Sequence, residues 1–338
     1  MNSIKTANRI HTLDYLRGFA LLGILLVNIL PLLSVQMPMQ HTADASYWKF
    51  LYLFVEGRFY TIFSFLFGVS FYLFITRANS RRKNGTVLFL RRILVMFLMG
   101  LIHFSFHPGE ALTVYAFCGL LALPFYKVKK ETNLMVGLTL LIGLSVLAIK
   151  PLLPIPLILL GLTAGQYQLF EDLVSKKKRI AFFTGMMGVL SVIGLVYQYQ
   201  QASFENYTFY HIGIMIGPAV SAFYVGMLIL LLNIPVIQRI LTPLKAYGRM
   251  ALTNYLLQTA LILIIGDMLD VFGQIAYMET LYVSAVIYGI QLAFSSLWLR
   301  YFQFGPFEWI WRGLTYLEMP PLVKKETRKD AQKQASSP

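Results

Sequence analysis

About ten runs of apolar residues, separated by short polar segments, constrain the fold of this 338-residue chain more than any other feature of its sequence. A helix that crosses a membrane needs about 20 mostly apolar residues, because the hydrocarbon layer is about 30 Å thick. Only 13% of the residues are charged, against about 25% in a soluble domain. We therefore expect lipid to cover the surface and predict an all-α fold, a polytopic transmembrane helical bundle in one domain, residues 1–321. The predicted spans are 15–35, 52–76, 92–107, 111–126, 133–149, 152–170, 180–198, 211–233, 250–268 and 280–299.

Two breaks in the apolar pattern affect this span count. Pro108-Gly109 divides a nearly continuous apolar stretch and predicts a tight turn, because Pro cannot continue a helix and Gly accepts turn dihedrals. Lys150-Pro151 separates the fifth and sixth spans in a similar way. After the last span, residues 322–338 are polar and charged, which predicts a disordered tail.

The basic residues predict the orientation of the bundle. Lys and Arg cluster in alternate loops and at both ends of the chain, and only Lys49, Arg58 and Lys150 of the 29 fall on the other side. This bias predicts a bacterial cytoplasmic membrane protein with both termini in the cytoplasm. It also accounts for the formal charge of +14 without a nucleic-acid partner. The partner expected at the apolar surface is the lipid bilayer.

The first span carries polar residues where lipid is expected. Asp14, Arg17 and Asn28 fall on one helical face that extends about 16 Å from the mouth to mid-membrane. Ionisable groups in a span cost several kcal/mol unless they face a partner or a cavity. One interpretation is an ion pair between Asp14 and Arg17 at the interface, with Asn28 joining two helices. The other interpretation is a pathway for a polar ligand.

The third span contains two histidines on one face, followed by an acidic residue. His103 and His107 are four residues apart, and Glu110 follows the Pro-Gly turn in a predicted outer loop. A carboxylate beside an imidazole can fix its tautomer and make it a general base. The alternative is a histidine that only bonds a neighbouring helix. Two histidines and one glutamate at this spacing match no recognised metal motif, so we expect no metal.

Four further residues are candidates for the site. Asn254 and Gln258 share one face of the ninth span, and with Tyr115 they are candidates to line a pathway, although amides also join helices. His41 is a lone histidine in the first outer loop. The sequence leaves open whether His41 or His103 is the more important histidine.

Five segments resemble the YeiB-like family of bacterial membrane proteins, in the family's order and over most of the chain. They are LDYLRGFALLGILLVNI, EGRFYTIFSFLFGVSF, GLIHFSFHPGEALTVYAFCG, GRMALTNYLLQT and FGPFEWIWRGLTY. His103 and Glu110 belong to the third segment, in which the family usually has Asp at the position of Glu110.

The LD-x-LRG opening also resembles that of larger transmembrane acyltransferase families, including heparan-alpha-glucosaminide N-acetyltransferase. This resemblance implies acyl-CoA as a co-substrate on the cytoplasmic side and an acceptor, commonly a sugar, on the outer side. It implies that Asp14 and Arg17 belong to a shared core, and it places His41 in the loop equivalent to that of the acyl-accepting histidine.

The leading hypothesis is a membrane-embedded acyltransferase. The alternatives are a transporter or channel for a small solute or protons, and a non-catalytic scaffold or sensor. The sequence does not decide whether the protein is a homo-oligomer.

Overall fold

The computed structural model describes residues 10–324, and this part of the chain contains fourteen α-helices. They are α1 (His11–Leu32), α2 (Ala43–Phe50), α3 (Arg58–Ser80), α4 (Gly85–Phe104), α5 (Leu112–Ala122), α6 (Lys130–Val146), α7 (Pro154–Gln166), α8 (Lys177–Gln200), α9 (Tyr207–Leu231), α10 (Pro235–Ile240), α11 (Thr242–Arg249), α12 (Ala251–Met268), α13 (Tyr277–Tyr301) and α14 (Pro306–Tyr316). The fold is the predicted polytopic helical membrane bundle.

Seven helical segments among the described residues are long and apolar enough to cross a membrane. They are α1, the combined segment Ala43–Ser80, α4, α8, α9, α12 and α13. The predicted spans at 111–126, 133–149 and 152–170 also contain helices, but α5, α6 and α7 have only 11, 17 and 13 residues. At 1.5 Å per residue these helices are shorter than the hydrocarbon layer is thick. The multi-pass fold is therefore confirmed, and the count of ten spans stays a prediction.

Close backbone contacts at glycines fix the centre of the bundle. A Cβ atom at Gly248 in α11 would lie 1.9 Å from the carbonyl oxygen of Asp14, so α11 packs directly on the backbone of α1. Likewise, a Cβ atom at Gly161 in α7 would lie 2.0 Å from the carbonyl oxygen of Phe65 in α3. These contacts leave no room for a side chain at Gly161 or Gly248, so the helix backbones approach each other closely there.

A backbone turn separates α2 from α3. The π-helical segment Leu51–Val55 continues α2, and Gly57 then adopts a left-handed conformation, with φ of 77°, that favours glycine. The next residue, Arg58, is only 2% exposed and donates hydrogen bonds to the carbonyl oxygen of Glu56 and to Oε1 of Gln198. Arg58 thereby fixes this turn against α8.

The chain after α14 returns to the end of α13. The N–H of Gln303 donates to the carbonyl oxygen of Leu322 at 2.8 Å, and the N–H of Lys324 donates to that of Tyr301 at 3.0 Å. The first three residues of the predicted tail are therefore paired with α13, and the rest of that tail lies outside the described residues.

Candidate functional site

A central cavity of about 880 Å³ lies between α1, α3, α4, α5, α12 and α14. One end, which we call the basic end, is lined by Arg17, Arg92 and Arg249. The opposite end is lined by Asn28, Glu56 and Lys150. Arg17 and Asn28 are eleven residues apart in α1, so the cavity extends along the helix for about 16 Å. The basic-residue pattern predicts that the basic end faces the cytoplasm.

Aromatic side chains form the middle of the cavity wall. The rings of Tyr60, Phe63 and Phe67 in α3 stack on Tyr115 in α5, with centroid distances of 5.9, 5.9 and 5.6 Å. The hydroxyl of Ser64 donates to that of Tyr115 at 3.2 Å. Tyr115 is therefore positioned by ring contacts and by a hydrogen bond to its hydroxyl. Tyr115 thus lines the cavity, as the sequence predicts, as part of a largely apolar wall.

The polar face of α1 looks into the bundle. Arg17 forms an ion pair with Asp14, with a distance of 3.0 Å, and donates to Oγ of Ser70 at 2.7 Å. Arg17 and Asn28 both line the central cavity. The two interpretations of this face are therefore compatible, because Arg17 forms the ion pair and also faces the cavity.

Asp14 lines a second cavity of about 350 Å³ at the basic end, which we call the basic vestibule. The basic vestibule shares Arg17, Ser70, Arg92 and Arg312 with the central cavity, so the two spaces adjoin at these residues. The side chain of Asp14 is almost fully buried there.

Glu110 lies on the wall of the central cavity, in the turn between α4 and α5. Its carboxylate accepts hydrogen bonds from the backbone N–H groups of Leu112 at 2.5 Å and Thr113 at 2.7 Å, and from the Thr113 hydroxyl. These donors are at the N-terminus of α5, where a helix stabilises negative charge. Glu110 therefore anchors α5 and presents a stabilised carboxylate to the cavity.

The side chain of Glu110 folds into the bundle, although Pro108 and Gly109 just before it are exposed. Glu110 is only 5% exposed, and a Cβ atom at Gly100 would lie 3.1 Å from its Oε1. The prediction that Glu110 follows the turn in an outer loop stays a prediction, and the structure adds that its side chain is buried against α4. The absence of a side chain at Gly100 lets the start of α5 fold back against α4.

His103 and Glu110 are neighbours, but only Glu110 reaches the cavity. Nδ1 of His103 is 3.8 Å from Oε2 of Glu110 and has no hydrogen-bond partner among the described residues. Nε2 of His103 is 2.9 Å from Oγ1 of Thr259, which fixes the orientation of the ring. His103 is buried behind Glu110 and Tyr255, and both of these residues line the cavity. The pairing predicted from the sequence is present, with the carboxylate in front.

Tyr255 was not identified from the sequence. Its hydroxyl accepts a hydrogen bond from the N–H of Ala111 at 3.0 Å, and its ring lies 5.1 Å from that of His103. Tyr255 therefore joins α12 to the turn with Glu110. The signal in the sequence was its position four residues before Thr259, on the same helical face.

The buried amides Asn254 and Gln258 form a network between helices, away from the cavity wall. Gln258 donates to the hydroxyl of Tyr247 at 2.6 Å, and that hydroxyl donates to Gln291 at 2.9 Å. Asn254 donates to Oγ of Ser295 at 2.8 Å. These contacts join α11, α12 and α13, and neither amide is on the lining of the central cavity.

The histidines His41 and His107 are also away from the cavity lining. His107 is buried, with its ring 5.5 Å from that of His103. His41 is exposed in the loop before α2 and has φ of 62°. Across residues 10–324, no group of three or more His, Cys, Asp or Glu side chains is placed to hold a metal ion.

Sequence comparisons identify relatives over nearly the full chain. The profile of the family described as "Protein of unknown function (DUF418)" matches residues 164–318. The "Uncharacterized 39.9 kDa protein in amylase 3'region" of Bacillus acidopullulyticus is 56% identical over 344 residues, which cover 96% of this chain and 99% of that protein. The uncharacterized protein YxaH of Bacillus subtilis (strain 168) is 28% identical and covers 95% of this chain and 97% of its own length. The uncharacterized protein YeiB of Escherichia coli (strain K12) is 28% identical and covers 94% and 99%.

Proposed function

Since the chain belongs to the YeiB-like DUF418 family, whose relatives named above are uncharacterised, we propose its function from the cavity itself: it is a membrane-embedded acyltransferase. The donor is an acyl-CoA that binds at the basic end, and the acceptor is a hydroxyl or amine, such as that of a sugar, which enters from the opposite end. The observation that carries this proposal is the Glu110 carboxylate, with His103 directly behind it, on the wall of a cavity that has polar side chains at both ends.

The reaction exchanges one bond to the acyl carbon for another. The acceptor oxygen or nitrogen attacks the thioester carbonyl carbon and forms the new C–O or C–N bond. The proton that the acceptor loses passes to Glu110 and then to Nδ1 of His103, which is 3.8 Å from Oε2 of Glu110. The C–S bond breaks, and the proton returns to the departing sulfur to give the free thiol. No further reactant is needed.

The cavity wall suits an acyl chain. Tyr60, Phe63 and Phe67 present aromatic surface between the basic end and Glu110. Such a surface favours the burial of hydrocarbon, since burial contributes about 25 cal/mol per Å² of apolar area. A pathway for a hydrophilic solute would instead need polar groups along its full length.

A transporter remains the second candidate because polar residues line both ends of the same cavity. Arg17 and Arg249 lie at one end, and Asn28, Glu56 and Lys150 at the other. Polar groups at both ends would let a solute or proton enter the cavity on one side and leave on the other. The same groups would serve an acyl group that is transferred from one side to the other.

Thiol release distinguishes these two functions. The purified chain is incubated with acetyl-, octanoyl- and palmitoyl-CoA and a panel of sugars, amino sugars and glycerol, and free thiol and acylated product are measured together. We expect acceptor-dependent release of thiol, and we expect Glu110→Gln to reduce it by at least about 100-fold. Efflux of solute or protons from proteoliposomes, with no thiol released from any donor, would favour the transporter and reject the enzyme.

A further inference from the structure

The basic vestibule concentrates positive charge in a small space. Among the described residues, basic side chains line it at six positions and an acidic side chain, that of Asp14, at one. The six are Arg17, Arg77, Arg81, Lys83, Arg92 and Arg312. Like charges in one cavity repel one another, so this arrangement is suited to a bound anion.

Aromatic rings hold several of these cations in place. The guanidinium carbon of Arg92 lies 3.5 Å from the centroid of the Trp311 ring, and the Trp311 indole N–H donates to the carbonyl oxygen of Arg92 at 2.8 Å. Arg312 and Lys83 lie over the ring of Tyr316, at 5.3 and 5.1 Å. A guanidinium that stacks on a ring keeps its N–H groups available at its edge. The geometry therefore orients donors without neutralising them.

The nearby carboxylates already have partners in the bundle. Asp14 pairs with Arg17. Glu308, which lines the adjoining part of the central cavity, accepts hydrogen bonds from the N–H groups of Leu252 at 2.7 Å and Thr253 at 3.1 Å. Within residues 10–324, neither Arg92 nor Arg312 has a carboxylate at ion-pair distance. Their charges are consequently left for a ligand.

Several arginines and a lysine in one cavity match the chemistry of phosphate esters. The planar guanidinium forms paired hydrogen bonds with phosphate oxygens, and the four cations Arg81, Lys83, Arg92 and Arg312 carry more positive charge than one phosphate neutralises. The vestibule meets the central cavity at Arg17, Ser70, Arg92 and Arg312, so a ligand held there can extend towards Glu110.

We infer that the basic vestibule binds a molecule with at least two phosphate groups, whose remaining part extends into the central cavity. The phosphate chemistry follows from the side chains above, whereas the assignment of those phosphates to the nucleotide end of acyl-CoA rests on the proposed function. The other source of the same chemistry is the headgroup of an anionic phospholipid from the adjacent leaflet.

Titration calorimetry of the purified full chain with adenosine 3′,5′-bisphosphate tests this site. Two pairs of neighbouring arginines provide matched variants. Arg92→Gln and Arg81→Gln remove charges from the vestibule, while Arg91→Gln and Arg82→Gln remove exposed charges outside both cavities. We expect each vestibule variant to weaken binding by about tenfold or more and each control to change it by less than about threefold. Binding should also weaken as salt rises. Because Arg81 is exposed, Arg81→Gln tests the charge without disturbing packing.

The second arm uses vesicles in place of the nucleotide. The thermal midpoint of the protein is compared in vesicles of phosphatidylcholine alone and of phosphatidylcholine with cardiolipin. Stabilisation by cardiolipin that Arg92→Gln and Arg81→Gln abolish, without binding of the bisphosphate, would support the site and identify a lipid as its source. Failure of both probes, or equal losses in vestibule and control variants, would overturn the inference.

Glu110→Gln separates this inference from the proposed function. We expect this variant to bind the bisphosphate as the wild type does, because Glu110 does not line the vestibule. Vestibule-dependent binding without turnover of any donor would support the site and reject the acyltransferase. Turnover with an unchanged KM for acyl-CoA in both vestibule variants would retain the enzyme and overturn the vestibule as its donor site.

Discussion

Two buried polar clusters in this bundle differ in their chemistry. The first joins Tyr247, Gln258 and Gln291 through neutral hydrogen bonds between α11, α12 and α13, and its amides do not line the cavity. The second places the Glu110 carboxylate on the cavity wall with His103 behind it. Glu110 lies in the turn between two helices, whereas the amides lie within α12 and α13. Burial in a polar cluster therefore does not by itself place a side chain on the cavity, and of these residues only Glu110 lines it.

If the two clusters differ in this way, the largest effect of a substitution should be the loss of turnover in His103→Ala. If the Glu110–His103 pair accepts the proton, kcat should fall by 10²–10⁴-fold, since that is the typical contribution of a positioned base. The KM for acyl-CoA should change little, because His103 is not on the cavity lining. The assay is steady-state thiol release from acyl-CoA.

His107→Ala is the matched control for this variant. His107 is a buried histidine one helical turn further along, with its ring 5.5 Å from that of His103. It should retain most of the turnover. Equal losses of kcat in both variants would show that packing around the turn, and not a proton acceptor, is being measured.

The next effect is on stability, in the amide network. Gln258→Leu removes hydrogen bonds to Tyr247 and to the carbonyl oxygen of Leu21, and we expect it to lower the free energy of unfolding by about 1 kcal/mol. Turnover per folded molecule should remain near that of the wild type. The measurements are the thermal midpoint in detergent and the activity of the monodisperse fraction.

The exposed Gln200, at the end of α8, provides the control for the network. Gln200→Leu makes the same chemical change at the surface and should leave the midpoint unchanged. A loss of turnover in Gln258→Leu at full stability would move the amide network into the functional site and remove the contrast between the two clusters.

A smaller effect is expected for Glu110→Asp, which introduces the residue that the resemblance assigns to most of the family. Aspartate keeps the charge and is a good acceptor for N–H groups at a helix start. Turnover should therefore stay within about tenfold of the wild type, in contrast to the loss of at least about 100-fold expected for Glu110→Gln. An aspartate variant as inactive as the glutamine variant would mean that the length of the side chain, and not its charge, is decisive.

The smallest effect is expected for His41→Ala. His41 is exposed in the loop before α2 and is not on the lining of the central cavity. Turnover and stability should both match the wild type within error. A loss of more than about tenfold in kcat would revive the acyl-accepting histidine that the resemblance implies and would displace His103 as the important histidine.

The sequence by itself determined that this is a helical membrane protein, because the apolar runs and the scarcity of charge allow no other solvent around it. It also predicted that Asp14, Arg17 and Asn28 share one face of α1, since this depends on the regular spacing of a helix. These features are local and follow from neighbouring residues.

Only the tertiary structure decided which polar residues share a cavity. Asn254 and Gln258 were equal candidates with Tyr115, yet they bond to other helices while Tyr115 lines the cavity wall. The contact of Glu110 with α4 depends on the missing side chain at Gly100, and the basic vestibule depends on α14 bringing Arg312 and Trp311 to Arg92 in α4. Contacts between residues that are distant in the chain are set by how the helices pack, and no local pattern encodes them.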